Sequence, residues 1–313
     1  MRREPMTQAD GSRAPWPGGA AWIGGEYCPV EEAKISVLDL GVTRSDATYD
    51  VVHVWRGRFY RLEDHLERFA ASCARLRLDP GYDRAGIEAI LHGCVRAAGL
   101  REAYVSMTCT RGRLAPGSRD LRTARPTFYC YAVPFVWVSS PERQQTGASL
   151  RVSDLVRIPP ASVDPRVKNY HWLDLDLALL EAYDHGADLV ALRDLSGAIT
   201  EGPGYNVFAW VDGRWLTPAS GTLAGITRRT VIDLARQAGQ PVEEGPLSPG
   251  DLRRAAEVLI TSTAGGIMPV TAVDGQPVGT GTPGPRTCRL RDRYWASHAD
   301  PQYATPVRYD QPD

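Results

Sequence analysis

Val163-Asp-Pro-Arg-Val-Lys168-Asn-Tyr-His-Trp172 contains one of only two lysines in a chain of 313 residues. The chain has 36 basic residues, and all of them except Lys34 and Lys168 are arginines. Arginine supplies charge and salt bridges, but it stays protonated and cannot act as a nucleophilic amine. A desolvated lysine can lose its proton and join an aldehyde as a Schiff base. Lys168 is therefore a candidate covalent residue, unless the two lysines merely survived a composition bias towards arginine. Lys34 follows two glutamates and has the features of a surface lysine.

The composition is that of an ordinary globular protein. Hydrophobic residues make up 43%, charged residues 23%, and the net charge is -1, which is not basic enough to indicate nucleic-acid binding. The length allows two domains. The absence of a long apolar run and of a signal-peptide core predicts a cytoplasmic protein without a membrane segment. Six scattered cysteines without CxxC spacing predict neither a metal site nor a disulfide framework.

The first half of the chain alternates between strand and helix patterns. Residues 49–55 alternate as a strand, with Tyr49, Val51 and His53 on one face. Residues 61–76 carry apolar positions at helical spacing, and Arg68 lies next to that stripe. Its side chain is expected either to reach inward or, as is commoner, to be solvated. A second helix is predicted at 82–98, and strands at 103–108 and 127–133.

The second half begins after a polar stretch at 139–148, which is interpreted as an interdomain linker. A strand at 149–156 and a helix at 173–183 follow, and the helix is expected to bury Leu173, Leu177, Ala178 and Leu180. The predicted organisation is a flexible arm over 1–20, a small domain over 21–138, the linker over 139–148 and a large domain over 149–313.

Two segments of the second half have the features of anion sites. Gly225-Ile226-Thr227 precedes a helix, and backbone amides at a helix N-terminus can bind a phosphate. Ser262-Thr263-Ala264-Gly-Gly ends a strand in a turn rich in hydroxyls and amides. With Lys168, Arg68 and the glycine-flanked Glu201, these segments match the needs of pyridoxal 5'-phosphate: a Schiff-base lysine, an acid on the ring nitrogen and a phosphate cup.

Four motifs in order carry a family resemblance. Val167-Lys168-Asn, Thr200-Glu201-Gly-Pro-Gly-Tyr-Asn-Val-Phe, Leu223-Ala-Gly-Ile-Thr227-Arg and Ser262-Thr-Ala-Gly-Gly-Ile-Met-Pro resemble the fold-type IV (class IV) pyridoxal phosphate aminotransferases. The resemblance covers roughly residues 20–300. It implies an α+β fold with a small α/β N-terminal domain and a larger pseudo-barrel C-terminal domain. It also implies a cofactor between the domains and a homodimer with its active sites near the interface.

The resemblance also implies roles for individual residues. Lys168 corresponds to the Schiff-base lysine and Glu201 to the partner of the ring nitrogen. The remaining cofactor-binding positions are the phosphate cup and the residue packed on the ring, and they correspond to Arg68, Ile226, Thr227, Thr263 and Leu223.

Within that family the first half is most similar to the (R)-selective amine transaminases, through segments such as Ser45-Asp-Ala-Thr-Tyr-Asp-Val51 and Phe59-Tyr-Arg-Leu-Glu-Asp-His65. Their substrate pocket corresponds here to Tyr49, Val51, Tyr104 and Ser106, with Trp172, Ser262 and Ala264 as further candidates. Those enzymes usually carry His where this chain has Arg44, and commonly Phe and Glu at 104 and 106. These departures shift the expected pocket towards anionic substrates.

The expected reaction moves an amino group from an amine, in the first instance an (R)-amine, to a keto acid such as pyruvate. The keto acid's carboxylate needs a cation, and the candidates are Arg44, Arg113 and Arg119. Three alternatives stay open: a branched-chain or D-amino acid aminotransferase, a lyase of the aminodeoxychorismate type, and a non-catalytic cofactor-binding module.

Overall fold

A computed structural model describes residues 16–310, so residues 1–15 of the predicted N-terminal arm lie outside the described residues. The first half of the chain contains strands and helices in alternating groups. Its strands and helices are β1 (Ala20–Ile23), β2 (Glu26–Pro29), α1 (Leu40–Arg44), β3 (Ala47–Trp55), β4 (Arg58–Tyr60), α2 (Leu62–Leu76), α3 (Arg84–Ala98), β5 (Ala103–Arg113) and β6 (Arg125–Pro134).

The second half is richer in short strands. Its elements are α4 (Pro141–Thr146), β7 (Ala148–Val156), α5 (Leu173–Asp184), β8 (Leu189–Arg193), β9 (Glu201–Gly202), β10 (Tyr205–Val211), β11 (Arg214–Pro218), α6 (Ile226–Gln237), β12 (Val242–Gly245), α7 (Pro249–Arg254), β13 (Glu257–Ser262), β14 (Gly266–Val273), β15 (Gln276–Pro277), α8 (Pro285–Ala296) and β16 (Ala304–Pro306).

The described chain divides into two compact units. The first contains the residues up to Val136, the short segment Lys168–Tyr170 and the residues from Pro301 onwards. The second contains Trp137–Val167 and His171–Asp300. The predicted large domain, 149–313, differs from this division because two of its segments belong to the first unit.

The first unit is built on a seven-stranded sheet in the order β16-β4-β3-β5-β6-β1-β2. The paired residues Val52 and Val105 lie on the face that packs with α2 and α3 into the hydrophobic core. Helix α2 buries Leu66 and Phe69 of its predicted stripe in this core. Because side chains alternate along a strand, Tyr49, Val51 and His53 of β3 lie on the opposite face of this sheet.

The second unit is built on a nine-stranded sheet. Seven strands follow the order β12-β11-β10-β13-β14-β7-β8, while β15 pairs with β14 and β9 pairs with β10. The pairs β11–β12, β14–β7 and β7–β8 are parallel, whereas β10, β13 and β14 pair antiparallel to one another. A hairpin at Asp212-Gly213 joins β10 to β11 with both residues at positive φ.

The predicted apolar face of α5 is right for Ala178, which is buried, and wrong for its three leucines. Leu173, Leu177 and Leu180 have exposed fractions of 72%, 47% and 58%, whereas Leu175 is buried. The buried side of the helix continues through two alanines and packs with residues of β8, forming the cluster Leu175, Ala178, Ala182, Val190 and Leu192. The small side chains of Ala178 and Ala182 let the helix approach the sheet closely, whereas Leu173, Leu177 and Leu180 are exposed on the opposite side of the helix.

The predicted linker is also corrected, because it contains helix α4. Ser140 accepts a hydrogen bond from the backbone of Arg143, and Pro141 occupies the first turn, so the polar stretch begins with a regular N-cap. Gln144 is buried, and its amide donates to the backbone oxygen of Gly265. This stretch is therefore part of the second unit.

The C-terminal segment belongs to the first sheet. Strand β16 pairs antiparallel with β4, from Ala304 opposite Tyr60 to Pro306 opposite Arg58. Val307 lies in the core of the first unit, and Tyr309 packs against it. A pairing between segments so far apart in the chain leaves no local pattern in the sequence.

Residues 16–310 were compared with the requirements of a membrane-spanning helix and of a metal cluster. None of the helices there is long and apolar enough to span a membrane, and no group of three metal-ligating side chains occurs in that range. The six cysteines are free thiols, and Cys73, Cys94, Cys109 and Cys130 are buried.

Candidate active site

The backbone of Lys168 is hydrogen-bonded to the first sheet. Its carbonyl oxygen accepts hydrogen bonds from Tyr49 N at 3.0 Å and Thr48 Oγ1 at 2.8 Å. A β-bridge between Thr48 and Asn169 continues this contact. The side-chain amine lies 3.3 Å from Tyr49 Oη and 4.3 Å from the centre of the Tyr49 ring. The amine therefore lies on the Tyr49 face of the sheet, opposite the hydrophobic core.

Aromatic rings and hydroxyl groups cover this face around the amine. The rings of Tyr49 and Tyr170 stack at a centroid distance of 4.5 Å, and Tyr170 Oη lies 3.1 Å from Thr108 Oγ1. Burial raises the pKa of Tyr49 and of Tyr170 well above the ordinary value, so both phenols stay neutral at physiological pH. Residues opposite each other in the register share a face, which places Thr108 beside Tyr49 and Ser106 beside Val51.

Two predicted pocket residues occupy the same face further along β5. Ser106 is 1% exposed, and its hydroxyl has no hydrogen-bond partner within the described part of the chain. Tyr104 is half-buried, and burial raises its pKa. Its ring stacks on that of Tyr131 in the neighbouring strand, with 6.4 Å between the centroids. The four predicted positions on β3 and β5 thus lie on one surface, to which β6 adds Tyr129 and Tyr131.

Arg68 reaches inward, as one of the two alternatives had it. Its Nε and Nη2 donate to the two carboxylate oxygens of Asp50 at 2.7 and 2.8 Å. His65 Nδ1 lies 2.8 Å from Asp50 Oδ1, and the backbone of Val51 also donates to that oxygen. A carboxylate of 0% exposure thus fixes a guanidinium that remains 13% exposed.

The pKa values of this cluster follow from burial and charge. Burial alone would raise the pKa of Asp50, but the Arg68 charge and the hydrogen bonds from Arg68 and His65 hold it well below its usual range. Burial lowers the pKa of His65, although the hydrogen bond and negative charge of Asp50 oppose this effect. Asp50 is therefore ionised at neutral pH and His65 is uncharged.

In the second unit, Glu201 is 7% exposed at the start of β9. Its Oε2 accepts hydrogen bonds from Thr222 Oγ1 at 3.0 Å and from the Leu223 amide at 2.9 Å. Its Oε1 accepts from Arg157 Nε at 3.3 Å, a longer contact. These contacts fix the carboxylate and leave Oε1 with room for a further donor.

The motif around Glu201 has a local physical basis. Gly204 adopts a φ of +79° in the turn between β9 and β10. Tyr205 Oη then bonds to both the amide and the carbonyl of Val190, at 2.9 and 2.7 Å. Asn206 Nδ2 donates to Thr222 Oγ1 and to the carbonyl oxygen of Leu223. The motif thereby holds the loop that supplies two of the donors to Glu201.

Gly225 is required by close approach rather than by its φ. A Cβ atom at this position would lie 2.0 Å from Asn206 Oδ1. Gly225 is the N-cap of α6 and contributes no side-chain cap, while Ile226 and Thr227 in the first turn are buried. Uncapped amides at a helix N-terminus are suited to an anion.

The turn after β13 is held by Ser262. Its hydroxyl donates to the carbonyl of Gly204 at 2.8 Å and accepts from the amide of Ala264 at 3.1 Å. Thr263 lies between Ser262 and Ala264 in the sequence, and its side chain is partly exposed. Trp172 is the N-cap of α5, and its ring lies 3.5 Å from the position that a Cβ of Gly204 would take.

The predicted arginine clamp is not resolved to one residue. Arg44, Arg113 and Arg119 are all exposed. Arg111, in β5, instead forms two hydrogen bonds of 2.9 and 3.0 Å with Asp46. Arg111 is thus a structural residue, while the three predicted candidates lie at the surface of the first unit.

Comparison with known proteins now adds to this geometry. Residues 47–273 match the family model described as amino-transferase class IV. The chain belongs to the class IV aminotransferase family. A D-alanine aminotransferase of Listeria innocua is 30% identical over 267 residues, covering 84% of this chain and 90% of the relative.

Solved structures of two relatives are similar to this aminotransferase along nearly their whole length. The branched-chain aminotransferase of Thermobaculum terrenum in its pyridoxal phosphate form has a TM-score of 0.83 and 27% identity, covering 93% of this chain and 98% of that one. The branched-chain enzyme of Escherichia coli has a TM-score of 0.84 and 26% identity, covering 93% of this chain and 99% of that one. The fold-type IV prediction is confirmed, and the chain is a pyridoxal phosphate-dependent aminotransferase.

The residues of this aminotransferase fit the cofactor. The first unit offers an amine and a fixed guanidinium at Lys168 and Arg68. The second offers a carboxylate with a free acceptor position at Glu201 and the uncapped N-terminus of α6. These groups match the aldehyde, the phosphate and the ring nitrogen of pyridoxal phosphate in chemical type.

Sequence reasoning missed the residues that hold these groups. Asp50 and His65 support Arg68, while Arg157 contacts Glu201 and Asp174 contacts Arg157. Tyr131 could have been found, because it lies on the strand face that the alternation of β6 defines. The partners of Arg68 and Glu201 come from other elements, and no spacing rule in a single sequence reveals them.

Proposed function

We propose that Lys168 is the residue that binds the cofactor covalently and moves the proton in this aminotransferase. The amine lies on a sheet face of neutral aromatic and hydroxyl side chains, which supports this role. Bound there, pyridoxal phosphate supplies an electron sink that acidifies the carbon bearing the amino group of the donor. Lys168 would take the proton from that carbon and deliver it to the cofactor carbon that keeps the amino group.

Tyr49 is proposed to orient the amine. Its hydroxyl lies 3.3 Å from Lys168 Nζ, and its raised pKa keeps it protonated. A neutral phenol can both donate to and accept from the amine without adding charge beside it. The phosphate is proposed to bind to Arg68, to the amides of Ile226 and Thr227 and to Thr263, while Leu223 packs on the ring and Glu201 accepts from the ring nitrogen.

The first candidate donor is an (R)-amine, with a keto acid such as pyruvate as acceptor. The single observation that favours it is the sheet face beside Lys168, where Tyr49, Val51, Tyr104 and Ser106 carry no charge. These four positions offer no cation to a donor's carboxylate, so they favour a donor without one, and the expected shift towards anionic substrates depends on Arg44 instead. An amino acid donor, branched-chain or of D configuration, is the second candidate, because the relatives carry those names.

Reduction of the holoenzyme with borohydride tests the role of Lys168. We expect mass spectrometry to detect a cofactor adduct on the peptide that contains Lys168. In Lys168→Ala, both the adduct and turnover should be lost. Lys34→Ala is the matched control, because the only other lysine is exposed. An adduct that persists in Lys168→Ala would sink the assignment.

A donor panel separates the two candidates. (R)- and (S)-1-phenylethylamine, D-alanine and L-leucine are each offered with pyruvate or 2-oxoglutarate, and the ketone or keto acid formed is measured. Preference for (R)-1-phenylethylamine supports the first candidate, and preference for either amino acid supports the second. Release of pyruvate from aminodeoxychorismate in a parallel assay would indicate a lyase instead.

We also propose that the enzyme works as a homodimer with its active sites near the interface, as the family resemblance implies. Light scattering coupled to size exclusion is expected to give twice the chain mass of 34.3 kDa. A monomeric mass with full turnover would contradict this proposal.

A further inference from the structure

Glu201 shares an arginine with a second carboxylate. Arg157 Nη1 lies 3.0 and 2.7 Å from the two oxygens of Asp174, whereas its Nε lies 3.3 Å from Glu201 Oε1. The three side chains have exposed fractions of 10%, 13% and 9% for Arg157, Asp174 and Glu201. One guanidinium therefore lies between two carboxylates and favours one of them.

Helix α5 and the chain segment directly after β7 fix the position of Asp174. It lies in the first turn of α5, and one of its oxygens also accepts from the amide of Ile158 at 2.8 Å. The backbone amide of Arg157 donates to the carbonyl of Arg193 at 2.9 Å. The backbone of Arg157 and the side chain of Asp174 are therefore both held in place, and the two contacts with Asp174 set the direction of the Arg157 guanidinium.

The formal charge of this triad, with both carboxylates ionised, is -1. A largely buried net charge is costly unless a further opposite charge or donor compensates it. Charge-assisted hydrogen bonds are usually about 2.7–2.9 Å long, so the 3.3 Å contact leaves Glu201 Oε1 weakly engaged. The site is therefore arranged to accept one more cationic donor at that oxygen.

We propose that Asp174 is a positioning residue that holds Arg157 off Glu201 and so keeps Oε1 available for the protonated ring nitrogen of the cofactor. This inference rests on the proposed role of Glu201. Without Asp174, the guanidinium would form a bidentate pair with Glu201, neutralise it and compete with the ring. Asp174 touches neither substrate nor cofactor in this role, and it acts only through Arg157.

The test compares Asp174→Asn with the double variant Asp174→Asn/Arg157→Met. The holoenzyme is loaded with cofactor labelled with ¹⁵N at the ring, and the ¹⁵N chemical shift reports whether the ring nitrogen is protonated. In Asp174→Asn we expect the signal of the neutral ring and a fall in kcat of about tenfold. In the double variant, where no guanidinium can cover Glu201, the protonated signal and most of kcat return.

A matched control joins β7, the strand that precedes Arg157, to α5, the helix that contains Asp174. Arg151 of β7 pairs with Glu181 of α5 at 2.9 Å, and neither residue bonds to Glu201 in any described contact. Arg151→Met and Glu181→Gln should leave the ring signal unchanged. Urea unfolding of each variant separates a loss of fold from a loss of positioning.

A protonated signal in Asp174→Asn, or a double variant as impaired as the single one, would overturn the proposal. If Asp174→Asn does not fold, Arg157→Met is measured instead. The proposal predicts that the ring nitrogen stays protonated in this variant, because no guanidinium is left to pair with Glu201. A neutral ring there would show that Arg157 itself supports Glu201. Failure of Lys168 to carry the cofactor is seen separately in the borohydride experiment.

Discussion

Asp50 illustrates how a residue without a catalytic motif can organise a cationic one. Its two oxygens accept from Arg68, while Val51 N and His65 Nδ1 complete the cluster. Arg68 is therefore held in a direction that rotamer freedom alone would not fix. A guanidinium held in this way loses little side-chain entropy when it binds an anion.

Replacing Asp50 by Asn is expected to destabilise the protein by roughly 3–5 kcal/mol, because an almost buried guanidinium loses its counter-charge. Urea unfolding measures the loss. Asp120→Asn is the matched control, because the Asp120–Arg122 pair is exposed and its removal should change little. Equal stability of Asp50→Asn and the wild type would contradict the buried ion pair.

The pKa of His65 predicts acid lability. It is lowered by burial in the folded state, so the unfolded chain binds a proton more readily once the pH falls below about 6.5. The stability contribution is complete above that pH and is lost as the pH falls towards the folded value. Unfolding free energies measured between pH 8 and pH 5 should fall less steeply for His65→Asn. His185→Asn, at an exposed histidine, should keep the wild-type slope.

At the level of elements, the sequence predicted both α2 and α5, but it misassigned the leucines that α5 buries. In α2 the large apolar residues at helical spacing are also the buried ones, so the pattern leads to the correct face. In α5 most of the leucines are not buried, and two of the three buried residues are alanines. Alanines contribute little to any hydrophobicity pattern, so the pattern does not identify the buried face. Strand faces were predicted more reliably, because the alternation in β3 and β5 leaves only two choices.

Leu175→Ala is expected to cost about 2–5 kcal/mol, because it removes a buried side chain and leaves a cavity between α5 and β8. Leu177→Ala, two residues further along the helix and 47% exposed, is the matched control and should cost less than about 1 kcal/mol. Chemical denaturation of both variants at the same protein concentration measures the difference. A reversed order of the two losses would contradict the observed orientation of the helix.

At the level of the whole molecule, the motifs predicted the family, the fold class and the cofactor. The domain boundaries were less predictable, because the first unit gathers three separate segments of chain. The pairing of β16 with β4 is fixed by backbone hydrogen bonds between distant residues, which leave no periodic trace. The same holds for Lys168–Tyr170, which joins the first sheet through Thr48 and Tyr49.

Removing the residues after Asp300 is expected to destabilise the first unit. The deletion uncovers the edge of β4, and it removes Val307 from the core and the hydrogen bond from Tyr309 Oη to the carbonyl of Leu100. Hydrogen exchange followed by mass spectrometry should show faster exchange in β3 and β4 and unchanged exchange in β13. Deleting only residues 311–313 is the control. Unchanged exchange in β4 after the longer deletion would show that β16 contributes nothing to the sheet.

The mounting of Lys168 has a consequence for protein engineering. A chimera of two family members can be built by joining the N-terminal half of one parent to the C-terminal half of the other. Such a junction takes Lys168–Tyr170 from one parent and its supports, Thr48, Tyr49 and Thr108, from the other. Recombination that aims to exchange donor specificity should therefore transfer residues 168–170 together with β3 and β5, using three crossover points instead of one.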